Sequence, residues 1–207
     1  MSRNFSREKK EQIKGLLMEK GRELFSKYGL KKTGIKDLTR EAGIGQGTFY
    51  KFFSCKEELY FRLIEQEEKE LKKIFLAQWE KGGEINQKNL KEAFKRAFSE
   101  IENRPLLQNL YQKEEYDNLI KKLPREIISE HINQDHDIAR PIIERAQEKG
   151  VLISENPEAI AGLFRALFLI SLHKKEIGPE IYPETLELIL DLIARGLIRE
   201  DVYNEGN

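Results

Sequence analysis

Five polar residues between positions 46 and 56 have side chains whose chemistry suits double-stranded DNA. Gln46 can pair with adenine through two hydrogen bonds in the major groove, and Lys51 can reach the O6 and N7 atoms of guanine. The hydroxyls of Thr48 and Tyr50 can donate to phosphate oxygens. Lys56 places a positive charge in the first turn of a predicted helix, where a nearby phosphate would offset its unfavourable interaction with the helix dipole.

The elements that must hold these side chains are two short helices joined by a tight turn. The stretch from Thr33 to Lys56 reads TGIKDLTREAGIGQGTFYKFFSCK, and its first helix has an inward apolar face formed by Ile35, Leu38 and Ala42. Gly43 supplies the backbone freedom that the turn needs. Because the aromatic residues of the second helix pack inward, its polar residues point outward, as in a helix-turn-helix. A helical hairpin whose polar side chains are merely solvated is the alternative.

The rest of the chain has the same helical periodicity. Apolar residues recur at spacings of three and four, and the alternation typical of a strand never persists. We therefore predict an all-α fold of about nine helices, in which a three-helix helix-turn-helix domain precedes a helical ligand-binding and dimerisation domain. The predicted helical segments are 6–28, 35–42, 46–52, 54–79, 87–103, 105–113, 114–122, 125–149, 157–175 and 183–199.

Several residues mark the ends of these helices. Gly29 is a natural stop for the first helix. Ser54 and Glu57 have the spacing of a capping box at the start of the fourth helix. Pro157 suits the first position of a helix, whereas Pro141 lies inside one and predicts a kink.

Charge is unevenly distributed, although the chain as a whole is neutral. Residues 1–60 hold 14 Lys and Arg against 8 Asp and Glu, a net charge of +6, and residues 61–207 carry −6. A basic N-terminal part favours a polyanion such as DNA, and the acidic remainder does not. An asymmetry of this size can also arise by chance.

Composition favours a protein of the cytoplasm. Cys55 is the only cysteine, so no disulfide can form within the chain, and a reducing compartment fits. No apolar leader follows Met1. The longest apolar-rich run, Ala159–Leu172, has 14 residues and contains Arg165, which makes it too short to span a membrane. We therefore expect a cytoplasmic protein that has no membrane partner.

One stretch resembles a known family. The segment AGIGQGTFYKFFSCKEEL is similar to the TetR-family signature of a small residue and Gly, an apolar residue, Gly-Thr, an aromatic, Tyr, Phe and then Ser-x-Lys-Glu-Glu-Leu. The preceding GRELFSKYGLKKTGIKDLTREAG also fits the family. The resemblance implies a DNA-binding domain over 1–54 and a ligand-sensing and dimerisation domain over 55–207. The departures are Gly34 for a frequent Ser or Thr, Thr39 for a frequent Ala, and Cys55 at a variable position.

The resemblance also assigns roles by position. Lys36 and Gln46 align with positions that read bases or lie in the groove. Thr48, Tyr50 and Lys56 align with phosphate contacts, and Lys51 can serve either purpose. The complete set of expected DNA contacts is Thr33, Lys36, Gln46, Thr48, Tyr50, Lys51 and Lys56. The family's usual mode implies a repressor that a ligand releases from DNA. A dimer that presents two recognition helices to successive major grooves predicts a near-palindromic operator. We expect an effector that tilts the fourth helix to change the affinity of the protein for DNA.

Two C-terminal helices predict a homodimer. Ala159–Leu172 is apolar nearly all round, and the last helix, which begins at Pro183, also has more than one apolar stripe. One face of each helix can pack within its own chain, and the other face needs a second partner. Two such helices doubled by a twofold axis form a four-helix bundle, which is how the family dimerises. A core helix in a large monomer is the alternative.

Aromatic residues between Leu59 and Phe168 are candidates to line a pocket for a small, largely hydrophobic effector. The expected lining residues are Phe75, Trp79, Phe94, Phe98, Tyr111, Tyr116, Phe164 and Phe168. Aromatic residues at helical spacing are also typical of an ordinary core, so that alternative stays open.

Other function classes have weaker support. No Ser-His-Asp order, Gly-rich phosphate loop or hydrolase elbow indicates an enzyme, and we expect no cofactor. His131, Asp135 and His136 have a spacing that can bind metal, but no Cys or Glu cluster supports them, and we expect no metal. Cys55 lies beside Lys56 and could form a redox switch, but the chain has no second cysteine to resolve it. A helical interaction module or a small-molecule-binding protein without DNA binding is the alternative function.

Overall fold

The structure is a computed structural model that describes residues 6–79, 85–110 and 119–199, without the side chains of 132–139 and 171–172. Ten helices lie in these ranges: α1 (Arg7–Lys32), α2 (Ile35–Glu41), α3 (Gln46–Phe49), α4 (Lys56–Trp79), α5 (Gln87–Glu102), α6 (Pro105–Leu110), α7 (Arg125–Glu148), α8 (Pro157–Leu172), α9 (Lys174–Ile177) and α10 (Tyr182–Leu197). In the same ranges, pairing of the β type is limited to Leu152 and Ile198. The predicted all-α fold is therefore confirmed.

Two compact units divide the chain. The N-terminal unit comprises Met1–Lys69 and Arg104–Arg125, and the C-terminal unit comprises Glu70–Asn103 and Glu126–Asn207. Helix α4 begins in the first unit and ends in the second. The predicted domain boundary after residue 54 stays a prediction. Among the described helices, none is both long and apolar enough to cross a membrane.

Helix α1 loses its helical backbone at the predicted stop. Gly29 has φ 75° and ψ 171°, a conformation that side-chain-bearing residues rarely adopt, and a short helical continuation follows it. The Thr33 hydroxyl donates to the Gly29 carbonyl oxygen at 2.8 Å. At the start of α2, the Gly34 N–H donates to Oδ2 of Asp37 at 3.1 Å. Asp37 therefore stabilises the N-terminus of α2, where Gly34 has no side chain that could cap the helix.

The start of helix α4 corrects the predicted capping box. The helix begins at Lys56, so the carboxylate at its third position belongs to Glu58 and not to Glu57. Both the N–H and the hydroxyl of Ser54 donate to Oε2 of Glu58, each at 2.7 Å. Glu57 is instead buried and pairs with Nζ of Lys122 at 3.0 Å.

Helices α1, α4 and α6 are joined within the N-terminal unit by hydrogen bonds to backbone carbonyls. The Tyr60 hydroxyl donates to the Leu106 carbonyl oxygen at 2.8 Å. Nδ2 of Asn109 donates to the carbonyl oxygens of Phe25 and Ser26, at 3.1 and 3.2 Å. The ring of Phe25 meets the ring of Tyr60 edge-on at 5.0 Å. These contacts attach the helix that precedes the helix-turn-helix to α4 and α6.

A charged cluster adds to this packing. The buried carboxylate of Glu67 on α4 pairs with Arg22 on α1 and with Arg104, which precedes α6. Partial burial, followed by the nearby charge of Arg104, lowers the pKa of Arg22. Because Glu67 serves two guanidinium groups, its loss would leave both without that partner.

Ion pairs join α5 to α10 in the C-terminal unit. Lys91 pairs with Asp191 at 2.6 Å and with Glu187, and Lys95 pairs with Glu187 at 3.0 Å. The hydrogen bonds from Lys91 and Lys95 lower the pKa of Glu187, and the hydrogen bond from Lys91 lowers the pKa of Asp191. All four groups are partly exposed, so these pairs orient the helices more than they stabilise them.

Candidate DNA interface and aromatic cluster

The helix-turn-helix is present in the N-terminal unit, with a shorter second helix than predicted. Gly43 has φ 62° in the turn, and the Ile44 N–H donates to the Thr39 carbonyl oxygen at 2.9 Å. The α-helical hydrogen bonding of α3 covers only Gln46–Phe49. A tighter turn follows, in which the Lys51 N–H donates to the Thr48 carbonyl oxygen at 3.1 Å.

Four of the predicted DNA contacts lie at the surface of this motif. Lys36, Gln46, Tyr50 and Lys51 are exposed, and Thr48 is half-buried. The Tyr50 side chain is 59 % exposed, although its ring packs in a T-shaped arrangement against the ring of the fully buried Phe49, with 5.6 Å between the ring centroids. The exposed Tyr50 phenol, with the amide of Gln46 and the ammonium of Lys51 also exposed, suits contact with the phosphates of DNA.

The structure places Thr33 in the interior and not at this surface. Its side chain is only 2 % exposed, and its hydroxyl donates to the Gly29 carbonyl oxygen. Its position in the motif gave no indication of this burial, because a threonine before a helix is also typical of an exposed cap.

Lys56 has backbone partners. Its Nζ atom donates to the carbonyl oxygens of Leu30 at 2.6 Å and Thr33 at 2.8 Å. These carbonyls belong to the end of α1 and the link to α2, so the ammonium connects the start of α4 to the segment before the helix-turn-helix. A phosphate would have to compete with these hydrogen bonds.

Gly45 and Gly47 were missed as candidate interface residues. A Cβ atom added at either position would have nothing within 4 Å, and neither has positive φ. The fold of the free protein therefore requires glycine at neither position, unlike Gly43 with its φ of 62°. The two glycines flank Gln46, so no side chain covers the backbone on either side of that residue.

Six of the eight predicted effector residues form one connected set of rings in the C-terminal unit, which we call the aromatic cluster. The ring of Phe75 lies 4.8 Å from that of Phe94 and 5.8 Å from that of Phe164. Trp79 lies 5.6 Å from Phe75 and 5.9 Å from Phe164. The cluster consists of Phe75, Trp79, Phe94, Phe98, Phe164 and Phe168.

Tyr111 and Tyr116, the other two predicted effector residues, lie outside the described residues. Within the cluster, Phe164 and Phe168 on α8 are half-buried, whereas Trp79 is 1 % exposed. The indole Nε1 atom of Trp79 is buried and has no hydrogen-bond partner among the described residues.

A separate groove of about 620 Å³ lies between α5 and α10. Its lining is mainly polar and charged and includes Lys91, Asp191 and Arg195. No residue that the sequence predicted for the effector contributes to it. An open charged groove is less suited to a hydrophobic compound than aromatic walls are.

Helices α8 and α10 carry large apolar side chains at the surface of the single chain. On α10, Leu188 is 59 % and Leu192 is 62 % exposed, and on α8 Leu169 is 48 % exposed. Ile181, which precedes α10, is 51 % exposed. Leu188 and Leu192 are four residues apart and so lie on one face of their helix.

Two further predicted features are the thiol of Cys55 and the spacing of His131, Asp135 and His136. Cys55 is a half-buried free thiol whose Sγ atom accepts a hydrogen bond from the Glu58 N–H at 3.4 Å. The side chains of Asp135 and His136 lie outside the described ones. Among the side chains that are described, no group of three metal-binding residues occurs.

Comparison with known proteins places the helix-turn-helix in a family. Residues 17–63 match the family model of bacterial regulatory proteins of the tetR family. An uncharacterised helix-turn-helix-type transcriptional regulator of Bacillus subtilis, YfiR, is 32 % identical over 65 residues, or 31 % of this chain. The aligned part spans 32 % of that relative's length.

Crystal structures extend the similarity along the whole chain. A TetR-family transcriptional regulator from Pectobacterium atrosepticum has a TM-score of 0.73 at 19 % identity, with 95 % of this chain and 99 % of that chain covered. SmeT, the repressor of a multidrug efflux pump of Stenotrophomonas maltophilia, has a TM-score of 0.60 at 17 % identity, with 94 % of each chain covered. SmeT is also known in complex with triclosan. The helix-turn-helix region is therefore similar to that of the tetR family of bacterial regulatory proteins, and the fold of the chain is similar to the folds of these two regulators.

Proposed function

We propose that this protein is a sequence-specific, DNA-binding transcriptional regulator that acts as a homodimer in the cytoplasm. The observation that carries the proposal is the exposure of Lys36, Gln46, Tyr50 and Lys51 on a helix-turn-helix whose core is formed by the buried residues Leu38, Ala42, Phe49 and Phe53. The motif thus has a formed core and an outer surface of amide, phenol and ammonium groups. These are the groups that contact bases and phosphates in DNA complexes.

The roles differ among these side chains. Gln46 and Lys36 read bases, Thr48 and Tyr50 contact phosphates, and Lys51 serves either purpose. Lys56 acts first as a positioning residue, since its ammonium holds the carbonyls of Leu30 and Thr33. Thr33 likewise supports the motif from inside through its hydrogen bond to Gly29.

The C-terminal unit binds the effector, and the effector relieves repression. Aromatic rings on α4, α5 and α8 pack into one apolar cluster whose chemistry suits a small hydrophobic compound. SmeT, which shares the fold, is a repressor and binds the aromatic compound triclosan. We assign no catalytic role to the chain.

Dimerisation occurs through α8 and α10. Their exposed leucines would be an unfavourable surface for a monomer in water, and a twofold axis would bury them against their own copies. A dimer of this kind carries two helix-turn-helix motifs, so its operator is a near-palindrome.

Salt-dependent binding tests the proposal. The full chain is titrated into labelled duplex DNA at several salt concentrations, and fluorescence anisotropy gives the affinity at each. Lys36→Ala and Lys51→Ala should each weaken binding and lower the slope of log affinity against log salt by about 1 if the lysine meets a phosphate. Should one of them read a base instead, the loss will depend on sequence.

Lys73→Ala is the matched control, because Lys73 is an exposed lysine paired with Glu70 on α4, outside the helix-turn-helix. This variant should bind DNA like the unmodified chain. If the unmodified chain binds no duplex even at low salt, the protein is a helical small-molecule-binding or interaction module and the proposal is wrong.

A further inference from the structure

The indole of Trp79 combines near-complete burial with an unused hydrogen-bond donor. The side chain is 1 % exposed, and its Nε1 atom is buried without a partner among the described residues. Buried polar groups in folded proteins are nearly always paired, because an unpaired donor has lost its water without replacement. Nε1 of Trp79 is such an unpaired donor, on the last residue of α4 that the structure describes.

Aromatic rings pack against the indole. Phe75 lies 5.6 Å and Phe164 5.9 Å from the Trp79 ring, and both rings also meet Phe94. A phenylalanine at position 79 would pack against the same rings without leaving a donor unpaired. The N–H group therefore adds nothing to the packing of the unliganded cluster, and it gains a use when a partner brings an acceptor.

The cluster reaches the surface of the C-terminal unit on the α8 side. Phe164 is half-buried, so the ring next to Trp79 reaches the surface of the C-terminal unit. Phe168, one turn further along α8, is also half-buried and continues the cluster through Phe98. A flat molecule that enters between these rings would contact the indole.

We propose that Trp79 donates a hydrogen bond from Nε1 to the effector, and that the effector is a neutral aromatic compound with an acceptor atom in or beside its ring. This inference rests on the proposed binding of an effector in the aromatic cluster. The rings supply affinity without selecting among apolar compounds, and the single N–H selects those that carry an acceptor. Trp79 is thus a specificity-determining residue of the effector site.

A pair of probes that differ in one atom tests the inference. Quinoline has a ring nitrogen that accepts a hydrogen bond, and naphthalene has the same shape without it. Dissociation constants of both are measured by equilibrium dialysis at pH 7.5 with the full chain and with Trp79→Phe. The ratio of the quinoline to the naphthalene affinity should fall by about fivefold to tenfold in Trp79→Phe, the size of one hydrogen bond.

Phe168→Leu is the control, since it removes a ring at the edge of the cluster and keeps the indole. Both affinities should fall in this variant, and their ratio should stay unchanged. A ratio that Trp79→Phe leaves unaltered while both probes bind would overturn the donor role and leave the aromatic site standing. If neither probe binds the unmodified chain, the aromatic effector site itself is wrong.

A second measurement needs no variant. The chain has one tryptophan, so its indole N–H gives a single NMR resonance in the ¹⁵N-labelled protein. Quinoline should move that resonance downfield, as hydrogen bonding does, and naphthalene should not. Equal shifts with both probes would contradict the proposal even if Trp79→Phe does not fold.

Discussion

Lys56 has a role that its chemistry alone did not reveal. The residue aligns with a phosphate contact, yet its ammonium donates to the carbonyl oxygens of Leu30 and Thr33. A lysine held in this way affects DNA binding mainly through the position of α4 relative to the end of α1 within the N-terminal unit. Its effect should then differ in kind from that of Lys51, which is exposed.

Lys56→Ala should lower both stability and DNA affinity. Hydrogen bonds from a charged group contribute about 1.5–3 kcal/mol each, of which a half-buried lysine realises the lower part. We expect the melting temperature to fall by several degrees, on the order of 2–4 °C per kcal/mol for a chain of this size. Affinity should fall for every DNA sequence, while the salt slope stays near that of the unmodified chain.

Lys51→Ala provides the comparison. It should lower the melting temperature less than Lys56→Ala does and alter the binding of DNA directly. If Lys56→Ala instead lowers the salt slope by about 1 and leaves the melting temperature alone, Lys56 is a phosphate contact and the positioning role is wrong.

The sequence predicted the exposure of side chains within the helices of the motif better than the exposure of a side chain between them. Gln46, Tyr50 and Lys51 were expected to point outward and are exposed. Thr33 was expected among the DNA contacts and is buried. A helical pattern predicts which face of a helix a residue occupies, and so predicts its exposure. Thr33 lies between two helices, where no such pattern applies. Its burial follows from its hydrogen bond to a carbonyl near the end of α1.

Two glycines flank Gln46 at the start of helix α3. The free protein has space for a side chain at Gly47, whose added Cβ atom meets nothing within 4 Å. Glycine in a helix is less favourable than alanine by about 0.5–1 kcal/mol. A position that is held by glycine at this cost suits close approach of a DNA backbone.

Gly47→Ala should therefore separate stability from binding. We expect the free energy of unfolding to stay level or rise by up to about 1 kcal/mol, and DNA affinity to fall at least tenfold. Chemical denaturation and anisotropy measure the two quantities. Undiminished DNA affinity would show that the DNA backbone does not approach α3 at Gly47.

Gly43→Ala is the matched control with the opposite expectation. Its φ of 62° is costly for alanine, by about 1–2 kcal/mol, although an added Cβ would meet no neighbour. Stability should fall in this variant. The two variants together distinguish a glycine that the fold requires, Gly43, from a glycine that DNA binding requires, Gly47.

The predicted and observed helices differ mainly at the helix ends. Helices with strong apolar periodicity were predicted closely, and α5 spans Gln87–Glu102 where 87–103 was predicted. The predicted segment 157–175 is instead helix α8 followed by the short helix α9, with His173 between them. The capping box moved by one residue, because the start of α4 depends on which carboxylate reaches back to Ser54, and the sequence offers two adjacent glutamates.

The assembled molecule depends on the faces of α8 and α10 that the single chain leaves exposed. We expect Leu188→Glu combined with Leu192→Glu to convert a dimer into a monomer, since each leucine contributes about 1.5–3 kcal/mol when buried and a carboxylate there costs more. Sedimentation velocity measures the change. DNA affinity should fall with it, because one motif then binds without the other.

Lys175→Glu on α9 is the control for charge, as it is exposed and outside the proposed interface. It should remain a dimer. A double variant that still sediments as a dimer would place the interface elsewhere on the chain.

Selection from random duplex DNA tests most directly whether this protein reads sequence through its helix-turn-helix. The full chain should enrich a near-palindrome whose half-sites are centred about 34 Å apart or a multiple of that. Gln46→Ala should enrich the same spacing with the preference relaxed at one base pair in each half-site. Failure to enrich any sequence would contradict the DNA-binding function, and an unchanged preference with Gln46→Ala would contradict base reading by Gln46.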